Sequence, residues 1–490
     1  MSKNVSSIDL AAPAVENTAS ETHESKVSDD ATNSCESSIV SNHSESGSVE
    51  MAPPTRRTFR FHVLGIAHLP AAAKYVSCAF TQKIHKLCGM LVAKGHHVIL
   101  YAAEGSDAPC SELVQTHSLA QIREQFGDKN YDGDEEIGYD WQSQQFRHDF
   151  GTDMMLRKYV RHRQIAEIEM RKKPDDFLVI SMGSYHKEVS QAVGLYLECE
   201  SGIGYFGYFA RFRAYESDFI RYFSRGEEGK SDHTDGRHYY RVIPNYYRMQ
   251  DFPYVAEPAG DENGEPYVVY LGRIIQRKGL ETVVEATRHA NVRCIIAGQG
   301  GRYNETTHTL TVDRQVFQLT AKQSFYGFAD VEARKTLLGN AIAVITPTYY
   351  MEPFCGVSAE AQLCGTPAIT TSFGAFSDNV EHGRTGFLCC TTNDFALACG
   401  AAHKLDRAYI RKRAKARWSC EAVNEQYEKW WQDLYDVYES TLPKEQQPRT
   451  ADGKPRALGF SKVRSEREEI EAGTREDFFA PRVPYDQMPL

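Results

Sequence analysis

At 490 residues and 41% hydrophobic side chains the chain can bury at least two cores, and its formal charge of −10 leaves no clear nucleic-acid surface of the broad basic kind. Residues 1–50 hold two Lys/Arg against nine Asp/Glu, so one tail carries most of the negative excess. The twelve cysteines form no CxxC pair and no run of about 18 apolar residues occurs, which argues against a disulfide framework and a transmembrane segment, and for reduced thiols in a cytoplasmic protein.

Residues 1–57, Ser-rich and without an apolar h-region, read as a disordered acidic tail. Phe59–Ala67 (FRFHVLGIA) reads as a buried strand. Ser77–Lys94 carries Phe80, Ile84, Leu87, Met90 and Leu91 at helical spacing and is stopped by Gly95, and His97–Ala102 is the next strand. This βαβ unit predicts a parallel sheet, with ligands at the carboxyl ends of its strands. Asp132-Gly133-Asp134 imitates a metal-binding DxD pattern but lies in a charged polar stretch and reads as a solvated loop. Met154–Arg171 is predicted as a helix whose basic face, including Arg157, Arg161 and Arg163, is solvated. Asp176–Met182 (DFLVISM) is a buried strand, and His186 follows its carboxyl end, where functional side chains gather in such sheets. Leu195–Cys199 is a strand leading into a loop, Glu200–Tyr205, and Arg211 and Arg213 are expected to pair with Glu216 or Asp218. Residues 58–250 form a first domain, and 251–266, with Pro, Gly and acidic residues, a linker.

A second domain is expected over 267–418. Tyr267–Leu271 (YVVYL) is a strand followed by Arg273 and Lys278, and a helix runs from Leu280 to Ala290. Two cations five residues apart at a strand end can converge on a diphosphate, Arg as a planar fork and Lys as a compact charge. Val292–Ala297 is the next strand and ends in Gly298-Gln299-Gly300-Gly301. Asp330–Gly339 is a helix, Ala341–Thr346 a buried strand, and Ala368–Thr371 another. Between these two strands lies MEPFCGVSAEAQLCGTP, with Glu352 in a loop and Glu360 on the first turns of a helix. A helix start is an anion site, because its first amides lack intrahelical partners. A carboxylate before it and another inside it suit a ligand that carries both phosphate and hydroxyls. Helices follow at 393–403 and 406–418. Residues 419–442 form a long terminal helix whose aromatic stripe reads as core, and 443–490 form a charged tail.

Glu352-Pro353-Phe354-Cys355-Gly356, Glu360 and Gly365-Thr366-Pro367 resemble the signature of the retaining GT-B glycosyltransferases of glycosyltransferase family 4, E-P-F-G-x-x-x-x-E followed by G-T-P. Cys355 departs from the pattern, since many members have Gly directly after Phe. Gly272-Arg273 through Lys278-Gly279 is similar to the family's G-R-x-x-x-x-K-G, and Gly383 to Phe387 to the G-x-T-G-F end of its E-x-x-x-G-x-T-G-F, with Glu381 two residues before the glycine instead of four. Glu200-Ser201-Gly202-Ile203-Gly204-Tyr205 resembles a segment of phage and environmental glycosyltransferase-like proteins. The resemblance is strongest over 267–390 and weaker over 58–250.

What it implies is an α/β chain of the GT-B class, two facing Rossmann-like domains with parallel sheets, that moves a hexose-type sugar from a nucleoside-diphosphate sugar to an unidentified acceptor with retention. Arg273 and Lys278 would hold the diphosphate, with Gly298 near the nucleotide and Phe354, Gly356, Val357 and Ser358 at the helix start. Glu360 would bind ribose hydroxyls, Glu352 the sugar, and His186 the acceptor or sugar. No cofactor and no metal is expected, since side-chain cations and amides can do the charge work. Two other readings stay open: a phosphorylase of the same family using free phosphate, and a noncatalytic binding scaffold. The oligomeric state is open as well.

Overall fold

The computed structural model describes residues 57–75, 78–126, 155–227, 239–447 and 449. Nearly all of the expected N-terminal tail and of the charged C-terminal tail, and Asp132-Gly133-Asp134, lie outside them.

Seven strands make the first sheet: β1 (Arg60–Leu64), β2 (His97–Ala103), β3 (Glu112–His117), β4 (Phe177–Ile180), β5 (Leu197–Ile203), β6 (Phe212–Tyr215) and β7 (Arg241–Val242). All pair in parallel, in the order β3-β2-β1-β4-β5-β6-β7. The central strands are apolar on both faces because helices cover both, so Phe61, Val63, Phe177 and Val179 are fully buried. Those helices are α1 (Ala79–Ala93), α2 (Leu119–Phe126), α3 (Met155–Glu169), α4 (Lys187–Val193) and α5 (Asp218–Glu227).

The second sheet holds β8 (Tyr267–Leu271), β9 (Arg293–Ala297), β13 (Gln323–Gly327), β14 (Ala343–Thr346), β15 (Ala368–Thr371) and β16 (Gly386–Cys389), parallel throughout in the order β13-β9-β8-β14-β15-β16. Between β9 and β13 the chain inserts an antiparallel meander, β10 (Arg302–Asn304), β11 (Thr309–Val312) and β12 (Gln315–Gln318). Around this sheet run α6 (Leu280–His289), α7 (Val331–Gly339), α8 (Gly356–Leu363), α9 (Phe376–Asn379), α10 (Thr392–Ala401) and α11 (Arg407–Trp418).

The last of the described helices, α12 (Cys420–Thr441), returns to the first sheet. Trp431 is fully buried there, its ring centroid 5.2 Å from Phe61 and 5.5 Å from Phe177, and Tyr427 stacks on it at 5.5 Å. The aromatic stripe is therefore core. Where the chain crosses between the domains the two passes pair: Tyr247 N donates to Trp418 O (2.8 Å) and Cys420 N to Tyr247 O (2.9 Å).

Three local expectations are corrected. Glu200–Ile203 is the end of β5 and not a loop, because the buried Glu200 carboxylate finds partners inside the fold: Phe209 N (2.9 Å), Ala210 N (3.2 Å) and the Tyr205 hydroxyl (3.0 Å). The α3 face is not wholly solvated: Arg157 and Arg161 are buried, their guanidinium carbons 5.6 and 5.8 Å from the Tyr185 ring centroid. Arg213 stacks on Tyr208 and Tyr240, and Arg211 on Tyr196, whereas Glu216 takes Lys83 and Asp218 takes Arg221.

Candidate active site

In the second sheet the connections reverse direction between β8 and β14, which lie side by side. The loops leaving the carboxyl ends of two such strands diverge and leave a crevice, the usual ligand position in open parallel sheets. The loop after β8 supplies Arg273 and Lys278, and the loop after β14 supplies Glu352. Together with Gly356 and Val357 at the start of α8 they line a cleft of about 190 Å³. Its walls also include Arg334, Thr346 and Thr348, which sequence reasoning missed. Arg334 sits on α7 without any distinguishing pattern around it, and only the packing of α7 beside α8 brings it in.

Each functional side chain is set by local backbone. Lys278 ends a short 3-10 turn, Gln276–Lys278, whose first amide, Gln276 N, donates to Asp313 in the inserted meander (3.1 Å). Gly279 follows at φ 77°, and a Cβ there would lie 1.8 Å from the Pro347 carbonyl oxygen. Only glycine lets the Lys278 turn close onto the end of β14. Gly279→Ala is thus expected to cost well over ~1 kcal/mol of stability and to weaken anion binding, checked by denaturant midpoint and by nucleotide titration. The Glu352 loop is fixed along its length. Tyr349 N donates to Arg277 O (2.9 Å), Ala375 N to Glu352 O (2.9 Å), and Asn379 Nδ2 to Phe354 O (2.8 Å). Gly374 packs against the Glu352 backbone so closely that a Cβ would come within 2.9 Å of its nitrogen.

Charge is paired in two couples. Lys278 Nζ meets Glu352 Oε1, and Arg334 meets Glu360 Oε2. Both carboxylates are mostly buried, while Arg273 is exposed on the rim. The cleft lining thus carries three cations, Arg273, Lys278 and Arg334, against one carboxylate, Glu352. With Glu360 at the edge the set sums to one net positive charge, which suits an anionic group such as a phosphate, and a larger anion would have to draw Lys278 and Arg334 from their carboxylates. Cys355 directly follows Phe354 and has φ 68°, the left-handed conformation that glycine adopts without cost. Burial, reinforced by the Glu352 charge, pushes its thiol up to about 12, so it stays neutral and is no nucleophile.

The other sequence-derived candidates lie elsewhere. Phe354 is buried against Trp418, with centroids 6.1 Å apart, and Ser358 is fully buried behind the helix start, so neither lines the cleft. Gly298 donates its amide to Gly327 O (2.7 Å), and a Cβ there would lie 1.6 Å from Gly272 O, so its role is close backbone packing. Glu360 is held at the edge of the cleft by Arg334. His186 does not join the cleft residues. It is fully buried in the first domain, and its Nε2 donates to Gly65 O (3.0 Å) in the loop after β1. His117 does the same for Ala67 O (3.0 Å).

Burial pushes both histidines down from 6.5 to about 4. The folded chain holds them neutral while the unfolded chain takes up protons below 6.5, so their stabilisation is complete above that pH. It is lost as pH falls from 6.5 towards 4, by up to ~3 kcal/mol per histidine. Urea midpoints measured across that window are expected to fall, and more gently in a His117→Asn, His186→Asn variant.

The first domain meets this loop directly. Ser217 Oγ donates to Pro353 O (2.6 Å), next to Glu352, and the α5 start is capped from the other domain, Asp218 N and Phe219 N donating to Asp378 Oδ2 (3.1 and 3.4 Å). Among the described residues no group of three or more His, Cys, Asp or Glu is placed to hold a metal ion. Nor is any helix among them long and apolar enough to cross a membrane.

Comparison with known proteins agrees with this geometry. Residues 256–417 match the family model for glycosyl transferases group 1. An uncharacterized glycosyltransferase of Methanocaldococcus jannaschii is 29% identical over 167 residues, which is 32% of this chain and 41% of that protein. Glycogen synthase of Mycobacterium tuberculosis is 29% identical over 182 residues, 36% of this chain and 42% of that one. The matched region spans about two fifths of the length of these curated relatives. Among solved structures, sucrose-phosphate synthase from Thermosynechococcus elongatus superposes with a TM-score of 0.55 at 17% identity, covering 77% of this chain and all of that one. The expected fold, α/β with two Rossmann-like domains of the GT-B type, is the fold found.

Proposed function

We propose that the chain is a glycosyltransferase of family 4 that moves a hexose-type sugar from a nucleoside-diphosphate sugar to a hydroxyl acceptor with retention of configuration. The observation that carries this reading is the convergence of Arg273, Lys278 and Arg334 around Glu352 at the β8/β14 crevice. The match of 256–417 to glycosyl transferases group 1 supports it.

Arg273 and Lys278 receive the diphosphate, with the amides of Gly356 and Val357 aimed at it from the start of α8. As the bond between the sugar C1 and the phosphate oxygen breaks, the diphosphate leaves with the electron pair, and these cations stabilise the charge it gains. Lys278 then shares itself between phosphate and Glu352, which frees a Glu352 oxygen for sugar hydroxyls and for the developing oxocarbenium charge. The acceptor oxygen bonds to C1, and its proton passes to an oxygen of the leaving phosphate. Glu360 takes ribose hydroxyls while Arg334 fixes its orientation. His186 acts at one remove, holding Gly65 and with it the loop after β1. No metal is assigned to the reaction, and the protein works in the cytoplasm.

A thermal-shift screen of UDP, GDP, ADP, their sugars and inorganic phosphate tests the reading. One nucleoside diphosphate is expected to raise the melting temperature, and Lys278→Ala to abolish the shift. A shift with phosphate alone would make the protein a phosphorylase, and none with any compound would leave a binding scaffold.

A further inference from the structure

Beside the charged cleft a second cavity of about 490 Å³ opens between the two domains. One wall is Tyr205 and Phe206 after β5 with Phe219 and Phe223 of α5, and the other is the loop on either side of Glu352. The rings are organised: Phe206 and Phe219 each lie 5.7 Å from Phe223, centroid to centroid. Phe206 is 61% exposed and Tyr349 55% exposed, although both line a concavity of the size that takes small organic ligands. The hydroxyls of Tyr205 and Tyr349 each already make a hydrogen bond, with Glu200 and Thr282, and ring surface makes up most of what these residues offer a ligand. Among the described residues the only charged side chain lining the cavity is Arg277, and its guanidinium lies 3.9 Å from the Tyr350 ring centroid.

That lining discriminates between acceptor classes. A free sugar would bury several hydroxyls against a lining that holds no carboxylate or amide side chain, which is costly. An alkyl chain would gain contact area alone. An aromatic ring gains the same area and, in addition, offset-stacked or edge-to-face geometry with several rings. Met351 and Pro353 belong to the wall, and Glu352 between them in the chain lines the adjacent charged cleft, so a ring seated here lies beside that cleft.

We infer that this cavity is the acceptor site and that the acceptor is a hydroxylated aromatic compound, with its ring among Phe206, Phe223 and Tyr349 and its hydroxyl turned to the neighbouring cleft that Glu352 lines. The word acceptor rests on the transferase reading; the ligand class does not. The test is a titration of the full chain with the hydroxycoumarin 4-methylumbelliferone, followed by fluorescence anisotropy, alongside the nucleotide thermal shifts. Saturable binding is expected, weakened at least tenfold in Phe206→Asp, with the nucleotide shift unchanged in that variant. Absence of saturable binding, or equal affinity in Phe206→Asp, overturns the inference. Tighter competition by n-decanol than by phenols overturns the aromatic class in favour of an acyl one. Retained, Phe206-dependent umbelliferone binding in a protein that no nucleotide stabilises would support the cavity's ligand class and sink the transferase reading.

Discussion

Lys278→Ala is expected to lower turnover by about two to three orders of magnitude, the range for removing a preorganised group that stabilises developing charge, while the protein stays folded. The side chain is 19% exposed and its ammonium reaches Glu352 across the cleft. On the proposed mechanism the substitution removes the compact charge that faces the departing diphosphate, and it also leaves the 9% exposed Glu352 side chain without its partner. Two effects from one change predict strong non-additivity. Once Lys278 is gone, Glu352→Gln should cost much less than it does in the intact protein, because the two groups act as a unit. Lys278→Arg should not rescue, since a planar fork five bonds out does not replace a point charge in a cleft this narrow. Initial rates of donor consumption, with far-ultraviolet circular dichroism as the folding control, decide the matter. A Lys278→Ala enzyme at full speed would remove the proposed mechanism.

Trp431→Ala should destabilise the protein by about 3–5 kcal/mol, the usual cost of emptying a buried indole site. Its neighbours come from opposite ends of the chain: Phe61 in the first strand, Phe177 in the fourth, and Tyr427 one turn back on its own helix. Strand neighbours held by a parallel ladder cannot collapse into the gap, so little of the loss is recovered. Chemical denaturation read by tryptophan fluorescence measures it, and a loss below ~1 kcal/mol would mean that α12 rests on the first domain without being part of its core.

Much of this architecture was legible beforehand because buried parallel strands write themselves as unbroken apolar runs. YVVYL at 267–271 and AITT at 368–371 were placed to the residue. The meander of 302–318 escaped because its strands are three or four residues long and alternate polar with apolar over too short a stretch to register a period. In the cleft, Arg273, Lys278 and Glu352 were readable because spacing to a strand end fixes where a side chain emerges. Arg334 was not, since helix-to-helix packing decides its position. Nor does sequence separate a residue that lines a cleft from one just behind it, which is how Phe354 and Ser358 came to be placed with the ligand although they support the loop from within. The glycine-like φ of Cys355 could be suspected from its place after Phe354, yet only the backbone reveals it.

The bonds that join the first domain to the Glu352 loop have a consequence for fidelity. Any separation of the domains about the paired crossing at Tyr247 and Trp418–Cys420 would have to break the Asp378 cap of α5 and the Ser217–Pro353 hydrogen bond. At about 1 kcal/mol each these bonds are weak enough to break reversibly. Breaking them also frees the loop that aims Glu352, so Ser217→Ala should raise the ratio of donor hydrolysis to transfer, measured as free sugar against glycosylated product. On the proposed transferase reading the Glu352 loop is aimed only while these bonds are made, so water entering an opened cleft would meet a donor poorly set up to react.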